Sequence, residues 1–338
     1  MEKSQTTTRA KHQEATTLNV RQRGVALISV LLIVVIATVL SVSMIRNQNL
    51  TIHKARNVSD QSQAKQYAIG GEELARQILW QDTDNSPDVD HLQEDWAAED
   101  LIFDFEHGEV AVRIEDLQGR FNINSLMMPG NAGQQAKVRF SQLLLHVGLD
   151  TMYIDRAIDW MDKDIAARPL GAEDYAYLGL DRPYRTGGQM LVDTTELRLL
   201  LDMDAESFDL LLPFVSAIPD ASASLNVNTA PPEVLQIVSD RLTSDMSQDI
   251  LIERDTQEGY KMVTEFLQST YVAGMDIAAE GLGVQSSFFE IRIRARYLER
   301  NAYLTSIVQR GADGSMRVIY RNFARKVFPD AVQEEEQS

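Results

Sequence analysis

Residues 25–45 form a run of 21 uncharged, mostly aliphatic residues, and no second run of that length follows. As a helix rising about 1.5 Å per residue, such a run roughly spans the hydrocarbon core of a bilayer. The 24 residues before it carry five basic side chains (Lys3, Arg9, Lys11, Arg21, Arg23) against two acidic ones, Glu2 and Glu14. The positive-inside rule keeps that leader in the cytoplasm and sends the rest of the chain across the membrane. A secretory signal cleaved after the S-V-S at 41–43 is an alternative. Its apolar core would be long for that class, and apolar residues continue past the site. A plain uncleaved signal anchor is a second alternative.

The apolar run continues into a polar helix. Residues 46–80 contain no proline, and Ala55, Val58, Ala64, Tyr67, Ala68, Leu74, Ile78 and Leu79 recur at helical spacing. The breakers of "DTDNSP" at 82–87 mark its end, and Gly70-Gly71 marks a bend. A helix from 25 to about 80 would be roughly 80 Å long, half in lipid and half in water.

Strand patterning sits at both ends of the remaining chain. "EVAVRIE" at 109–115 alternates, as does "FFEIRIRARY" at 288–297, and "AYLTSIVQR" (302–310) and "SMRVIYR" (315–321) flank the turn "GADG". Between them, segments 137–149, 151–164, 194–203, 206–215, 231–242, 247–255 and 262–269 carry helical spacing. "TTEL" and "APPEVL" look like helix starts, with a Thr cap and an early Pro. The pattern predicts an α+β fold: a long N-terminal helix on an antiparallel sheet with one polar face, and a helical domain inserted between strands.

Chemistry is sparse. The chain has no cysteine, and its five histidines (His12, His53, His91, His107, His146) show no metal-ligand spacing. No G-x-S-x-G and no P-loop is present. Beyond residue 24 there are 27 basic against 48 acidic residues, a balance that repels nucleic acid and anionic lipid. Segment 155–193 is rich in carboxylates, with Asp162 and Asp164 as a D-x-D pair and Glu173-Asp174 after the glycine of "PLGAED". Clustered hard oxygens suit calcium, but the spacing is not that of a twelve-residue EF-hand loop, so a solvated acidic loop remains the stronger reading of the residues alone. "FNINSL" and "LNVNTAPPEVL" share an N-x-N-[ST] turn that also opens helix-hairpin-helix DNA-binding modules. No hairpin glycine pattern follows and few basic residues lie near, which favours Asn226, Asn228 and Thr229 as turn and cap residues. The arginines at 292, 294 and 296 read as the polar face of a strand, open to an acidic partner. The acidic "PDAVQEEEQS" at 329–338 reads as a disordered tail.

Arg23-Gly24 directly before the apolar run resembles the class III signal of type IV pilins and pseudopilins. That resemblance implies cleavage by the prepilin peptidase between Gly24 and Val25, with methylation, and retention of the apolar segment as a helical spine. Most pilin-like subunits carry Glu five residues after the cut, and this chain has Ser29. A subunit without that carboxylate lacks the partner for its neighbour's terminal amine and ends a filament rather than extending it. Together with "RGVALISVLLIVVIA", "DLQGRFNINSL", "AIDWMDKD…GAEDYAYLGLDRPYRTGG", "TTELRLL" and "LNVNTAPPEVL", the chain resembles the minor pseudopilin K family of type II secretion.

The family resemblance implies a non-enzymatic, single-pass inner-membrane protein with its body in the periplasm. It would cap and initiate the pseudopilus in protein export, with minor pseudopilins I and J, and with H at the tip. It also implies tip contact with secreted substrate or the outer-membrane secretin, no nucleic acid, and calcium held by Asp162, Asp164, Glu173 and Asp174. The expected organisation is a cleaved leader (1–24), a transmembrane half-helix (25–45) and a periplasmic half-helix with the first strands (46–120). An inserted helical domain (121–285), C-terminal strands (286–328) and the tail (329–338) follow. The alternatives from other classes are a membrane-anchored DNA-uptake protein built on "LNVNTA" and a minor pilin of a type IV pilus.

Overall fold

The computed structural model describes residues 14–99 and 101–323, with side chains from Ala26 onward. The first 13 residues of the expected leader, the side chains at the Gly24-Val25 cut and the acidic tail lie outside the described residues. The chain divides into two compact units, Met1–Ser62 and Gln63–Ser338. Helix α1 (Glu14–Asn85) belongs to both. It runs five residues beyond the expected end near 80, where Thr83 Oγ1 bonds back to the Leu79 carbonyl and Ser86 N still donates to the Asp82 carbonyl.

In the first unit every described side chain from Ala26 to Ser59 is exposed. Among the described residues one helix is long and apolar enough to cross a membrane. Two of the hydroxyls along it are satisfied internally. Thr38 Oγ1 donates to the Val34 carbonyl and Ser41 Oγ to that of Ala37, both at 2.8 Å. Hydrocarbon offers no other partner to such groups, so this pairing makes the run compatible with lipid.

In the second unit the chain forms β1 (Leu101–Phe105) and β2 (Gly108–Asp116). It then enters a largely helical stretch: β3 (Phe121–Asn122), α2 (Gly130–His146), α3 (Met152–Met161), α4 (Asp174–Leu178), α5 (Ala205–Leu211) and β4 (Val215–Ser216). β5 (Leu225–Asn226), α6 (Pro232–Leu235), α7 (Ser244–Thr256), α8 (Val263–Gln268) and β6 (Leu282–Gly283) complete it. β7 (Phe288–Tyr297), β8 (Arg300–Arg310) and β9 (Met316–Asn322) return to the sheet, whose strand order is β1-β2-β7-β8-β9, antiparallel throughout. The α+β expectation, a long helix on an antiparallel sheet interrupted by a helical insertion, is what the chain forms.

Ala64, Ala68, Ala75 and Leu79 of α1 are fully buried against Val110, Val112, Ile291 and Ile293. Small residues on this face let the helix backbone come close to the sheet. Gly71 is the closest point: a Cβ there would stand 2.6 Å from Val110 Cγ1 and 3.1 Å from Ile293 Cγ2. The helix continues unbroken through Gly70-Gly71, and Gly71 serves close packing against the sheet. Next to it, buried Glu72 accepts from Ser306 Oγ at 2.5 Å and from Arg321 Nε and Nη2 at 2.8 and 2.6 Å. On the other face of the sheet Arg292 pairs with Glu115 and Arg296 with Glu109, at 2.8 and 3.1 Å, across neighbouring strands.

Several local expectations shift. β1 has no counterpart among the expected strands, since five residues before a tight turn carry little pattern; it is an edge strand, largely solvent-facing. α2 starts at Gly130 rather than near 137, because Gly130 and Gly133 mask its first turns. Gly133 is required there, since a Cβ would meet the Met128 carbonyl oxygen at 1.9 Å. Residues 194–199 form a 3-10 helix capped by Asp193, not by a threonine, in a capping box with Glu196.

The insertion is tied at two similar places. β3 pairs in parallel with β4, and β5 in parallel with β6. In each, the first Asn of the N-x-N turn accepts from the amide two residues on: Asn122 from Asn124, Asn226 from Asn228. The second Asn exchanges a reciprocal pair with a later backbone, Asn124 with Leu191 and Asn228 with Tyr260. Its entry and exit are fastened by Gln118, whose amide donates to the Ser224 carbonyl and accepts from Ser287 N.

Candidate functional site

The carboxylate-rich segment begins where α3 ends. Asp159 lies in its last turn, fully buried, and Asp162 is its C-cap. The chain then loops out and returns through Gly171 to Glu173, the N-cap of α4. One carboxylate oxygen from each of Asp159, Asp162 and Glu173 lies within 4.8 Å of the others. Gly171 makes this possible: a Cβ there would fall 1.9 Å from Asp159 Oδ2.

The Arg168 guanidinium faces these carboxylates. Its Nη1 donates to Asp159 Oδ1 and, at 2.6 Å, to Asp162 Oδ2, while the Arg168 backbone amide donates to Asp159 Oδ2 at 3.0 Å. Asp162 Oδ1 and Glu173 Oε1 remain buried with no hydrogen-bond partner. Leaving two carboxylate oxygens buried and unmet is costly unless a cation or proton occupies the space. Burial, followed by the negative charges of Asp159, Asp162, Asp164 and Asp174, pushes the Glu173 carboxyl up to about 7. Burial also raises Asp159, outweighing the hydrogen bonds from Arg168. Hard oxygens in excess of their counter-charge fit a calcium-type ion.

Of the four residues singled out in the sequence, Asp162 and Glu173 meet here. Asp164 turns to cap its own loop, accepting from Ala166 N at 2.9 Å. Asp174 is held by Thr186 N at 3.0 Å and Arg185 Nη1 at 2.7 Å. The Thr186 backbone hydrogen bond, with Arg185, keeps its carboxyl below the usual range. Asp159 takes the third place, and its signal was the three-residue spacing to Asp162, which puts both on one face of a helix end. The loop is fastened behind by Trp160, which packs edge-on against Tyr177 and accepts Gly188 N on its carbonyl.

The Asn turns do not form a surface. Asn226 and Asn228 are fully buried, and Thr229 Oγ1 donates to Asp116 at 2.5 Å. α6, the helix that follows, is four residues long. Side chains consumed in this way hold the fold and present nothing to a phosphate.

Two family profiles, both described as type II secretion system (T2SS), protein K, match residues 119–220 and 225–285. Type II secretion system protein K of Pseudomonas aeruginosa is 35% identical over 320 residues, covering 91% of this chain and 95% of its own length. The protein K of Klebsiella pneumoniae is 33% identical over 302 residues, covering 84% and 93%. In fold, the chain is similar to the crystal structure of the GspK-GspI-GspJ complex from the enterotoxigenic Escherichia coli type 2 secretion system. The TM-score is 0.71 at 24% identity, over 81% of this chain and 100% of the solved one. With relatives this similar along nearly their whole lengths, the chain belongs to the type II secretion system protein K family.

Proposed function

We propose that this protein is a non-catalytic minor pseudopilin that caps and initiates the type II secretion pseudopilus. The observation that carries this reading is the exposed helix of residues 26–59, apolar as far as Ile45, joined in one chain to a protein K body. The helix lies in the inner membrane, N-terminus in the cytoplasm and body in the periplasm, after prepilin peptidase cuts between Gly24 and Val25 and methylates the new terminus. The similar solved structure is a complex of GspK with GspI and GspJ. By that likeness the partners here are minor pseudopilins I and J, with H below them. Ser29 offers no carboxylate to a subunit above, and the inserted domain is bulky, so the place at the tip follows.

Calcium in the inserted domain is part of this reading. Asp159, Asp162 and Glu173 would hold it, with Asp164 and Asp174 adding negative charge nearby. The ion supplies counter-charge to the two unpartnered oxygens and fastens α3 to α4. No bond is made or broken.

The test is the position of the molecule and the mass of its mature form. Gold-labelled protein should mark one end of sheared pseudopili, and the mature chain should begin at methylated Val25. Label spread along the fibre would overturn the tip assignment.

A further inference from the structure

A second group of carboxylates lies outside the inserted domain, where α1 ends. Asp82 sits in the last turn of α1, and the chain then folds back through Asp90, whose amide donates to the Val284 carbonyl at 2.9 Å. Glu94 follows. One carboxylate oxygen from each of Asp82, Asp90 and Glu94 lies within 4.8 Å of the others. All three are deeply buried: their side chains are 9%, 0% and 7% exposed.

Among the described residues, the guanidinium of Arg310 reaches this group. Its Nη1 donates to Asp82 Oδ2 at 3.1 Å, and Nη2 donates to both oxygens of Asp90. Glu94 Oε2 accepts from His91 N at 3.0 Å and from Trp96 Nε1 at 2.7 Å. Glu94 Oε1 is buried without a hydrogen-bond partner; His91 Nε2 stands 3.8 Å away, beyond hydrogen-bond reach. Three carboxylates against one guanidinium leave two negative charges uncompensated in a buried place. The C-terminal end of α1 adds its own partial negative charge. A cleft lined by Asp82, His91, Glu94, Asp95 and Glu258 opens from the group to solvent and gives an ion a path in.

We propose that Asp82, Asp90 and Glu94 form a second divalent-cation site, taking calcium, separate from the carboxylates of the inserted domain. Hard carboxylate oxygens select such an ion, and its two charges match the deficit. The ion joins three parts of the fold: the end of α1, the 90–94 loop and, through Arg310, the end of β8. The other candidate occupant is a proton between Asp82 and Glu94, since burial, Glu94 and Asp90 push Asp82 up to about 7.

Terbium, a luminescent stand-in for calcium, separates the two. Trp96 is hydrogen-bonded to Glu94, so a terbium ion at Glu94 is excited through the indole. The measurement uses the full chain in detergent carrying Glu173→Gln, which weakens the other centre beside Trp160. Tryptophan-excited terbium emission, displaced by calcium, is expected to persist in that chain. It should fall at least tenfold in affinity when Glu94→Gln or Asp82→Asn is added, and its intensity should drop with Trp96→Phe. Asp82→Asn keeps the shape of the side chain and serves if Glu94→Gln does not fold. Absence of emission in the Glu173→Gln chain, or emission indifferent to both substitutions at the α1 end, overturns the proposal and leaves the proton as the occupant. Because the inserted-domain centre is weakened throughout, and Glu94→Gln, Asp82→Asn and Trp96→Phe alter only the α1 end, emission that responds to them reports the α1 site whether or not the other centre binds.

Discussion

A proton on Glu173 and the proposed cation beside it would compete for the same oxygens. The folded-state value is about 7 against an ordinary 4.5, so between those limits the folded chain binds more protons than the unfolded one. Cation-free stability therefore falls as pH rises from about 4.5 to about 7, and calcium restores it above that range. Calcium affinity should weaken by up to about tenfold per pH unit as pH drops below 7, by proton competition at one carboxylate. Calorimetric titration of the full chain at about pH 5, 6 and 7.5 checks the slope; a flat profile would remove Glu173 from the centre. At this scale the sequence shows the acidic loop and two of its members. It hides the third, because Asp159 faces inward from a helix whose pattern reads as ordinary amphipathicity. Asp164 and Asp174 look like ligands in the sequence and are committed to turn amides instead.

The last turns of α1 and the sheet meet through two devices, one steric and one electrostatic. Gly71→Val would drive its Cβ into Val110 and Ile293, and overpacking of this kind costs about 1–3 kcal/mol. Thermal unfolding should show the loss, while Gly70→Ala, with open space around its Cβ position, should show none of it. Burial raises Glu72, but the hydrogen bonds from Arg321 and Ser306 and the charges of Arg321 and Arg76 outweigh it and hold the carboxyl below its usual range. That contribution is present above the unfolded value of about 4.5 and is lost as pH falls through the folded one. Arg321→Ala leaves a buried carboxylate short of its main partner, at a cost of about 1–3 kcal/mol near neutral pH. The cost should shrink as pH falls below the ordinary carboxylate range and Glu72 takes a proton; melts at neutral and at progressively more acid pH check both sign and size. The alanine face of α1 is legible because its spacing is helical. Gly71 reads as a bend because sequence reports a missing Cβ without saying what stands beside it.

Across the molecule, the long apolar helix and the three C-terminal strands are plain in the sequence, since period and length alone define them. The insertion is legible as a helical interval between strands. Its two repeated ties are not, because β3–β4 and β5–β6 are two-residue pairings with no period to detect. Asp116 at the end of β2 stands opposite Phe289 at the start of β7, in register on neighbouring strands. The chain thus leaves the sheet and comes home a single rung away. Such a detour is removable: replacing residues 118–287 with a two-residue Asn-Gly turn would close β2 and β7 into an ordinary hairpin. The shortened chain should keep the circular-dichroism signature of a helix on a sheet while losing the calcium binding proposed for the inserted domain. An excursion whose two ends meet on one ladder can change in size without shifting the register beneath it, at the cost of side ties such as Thr229 to Asp116 and Asp90 to Val284.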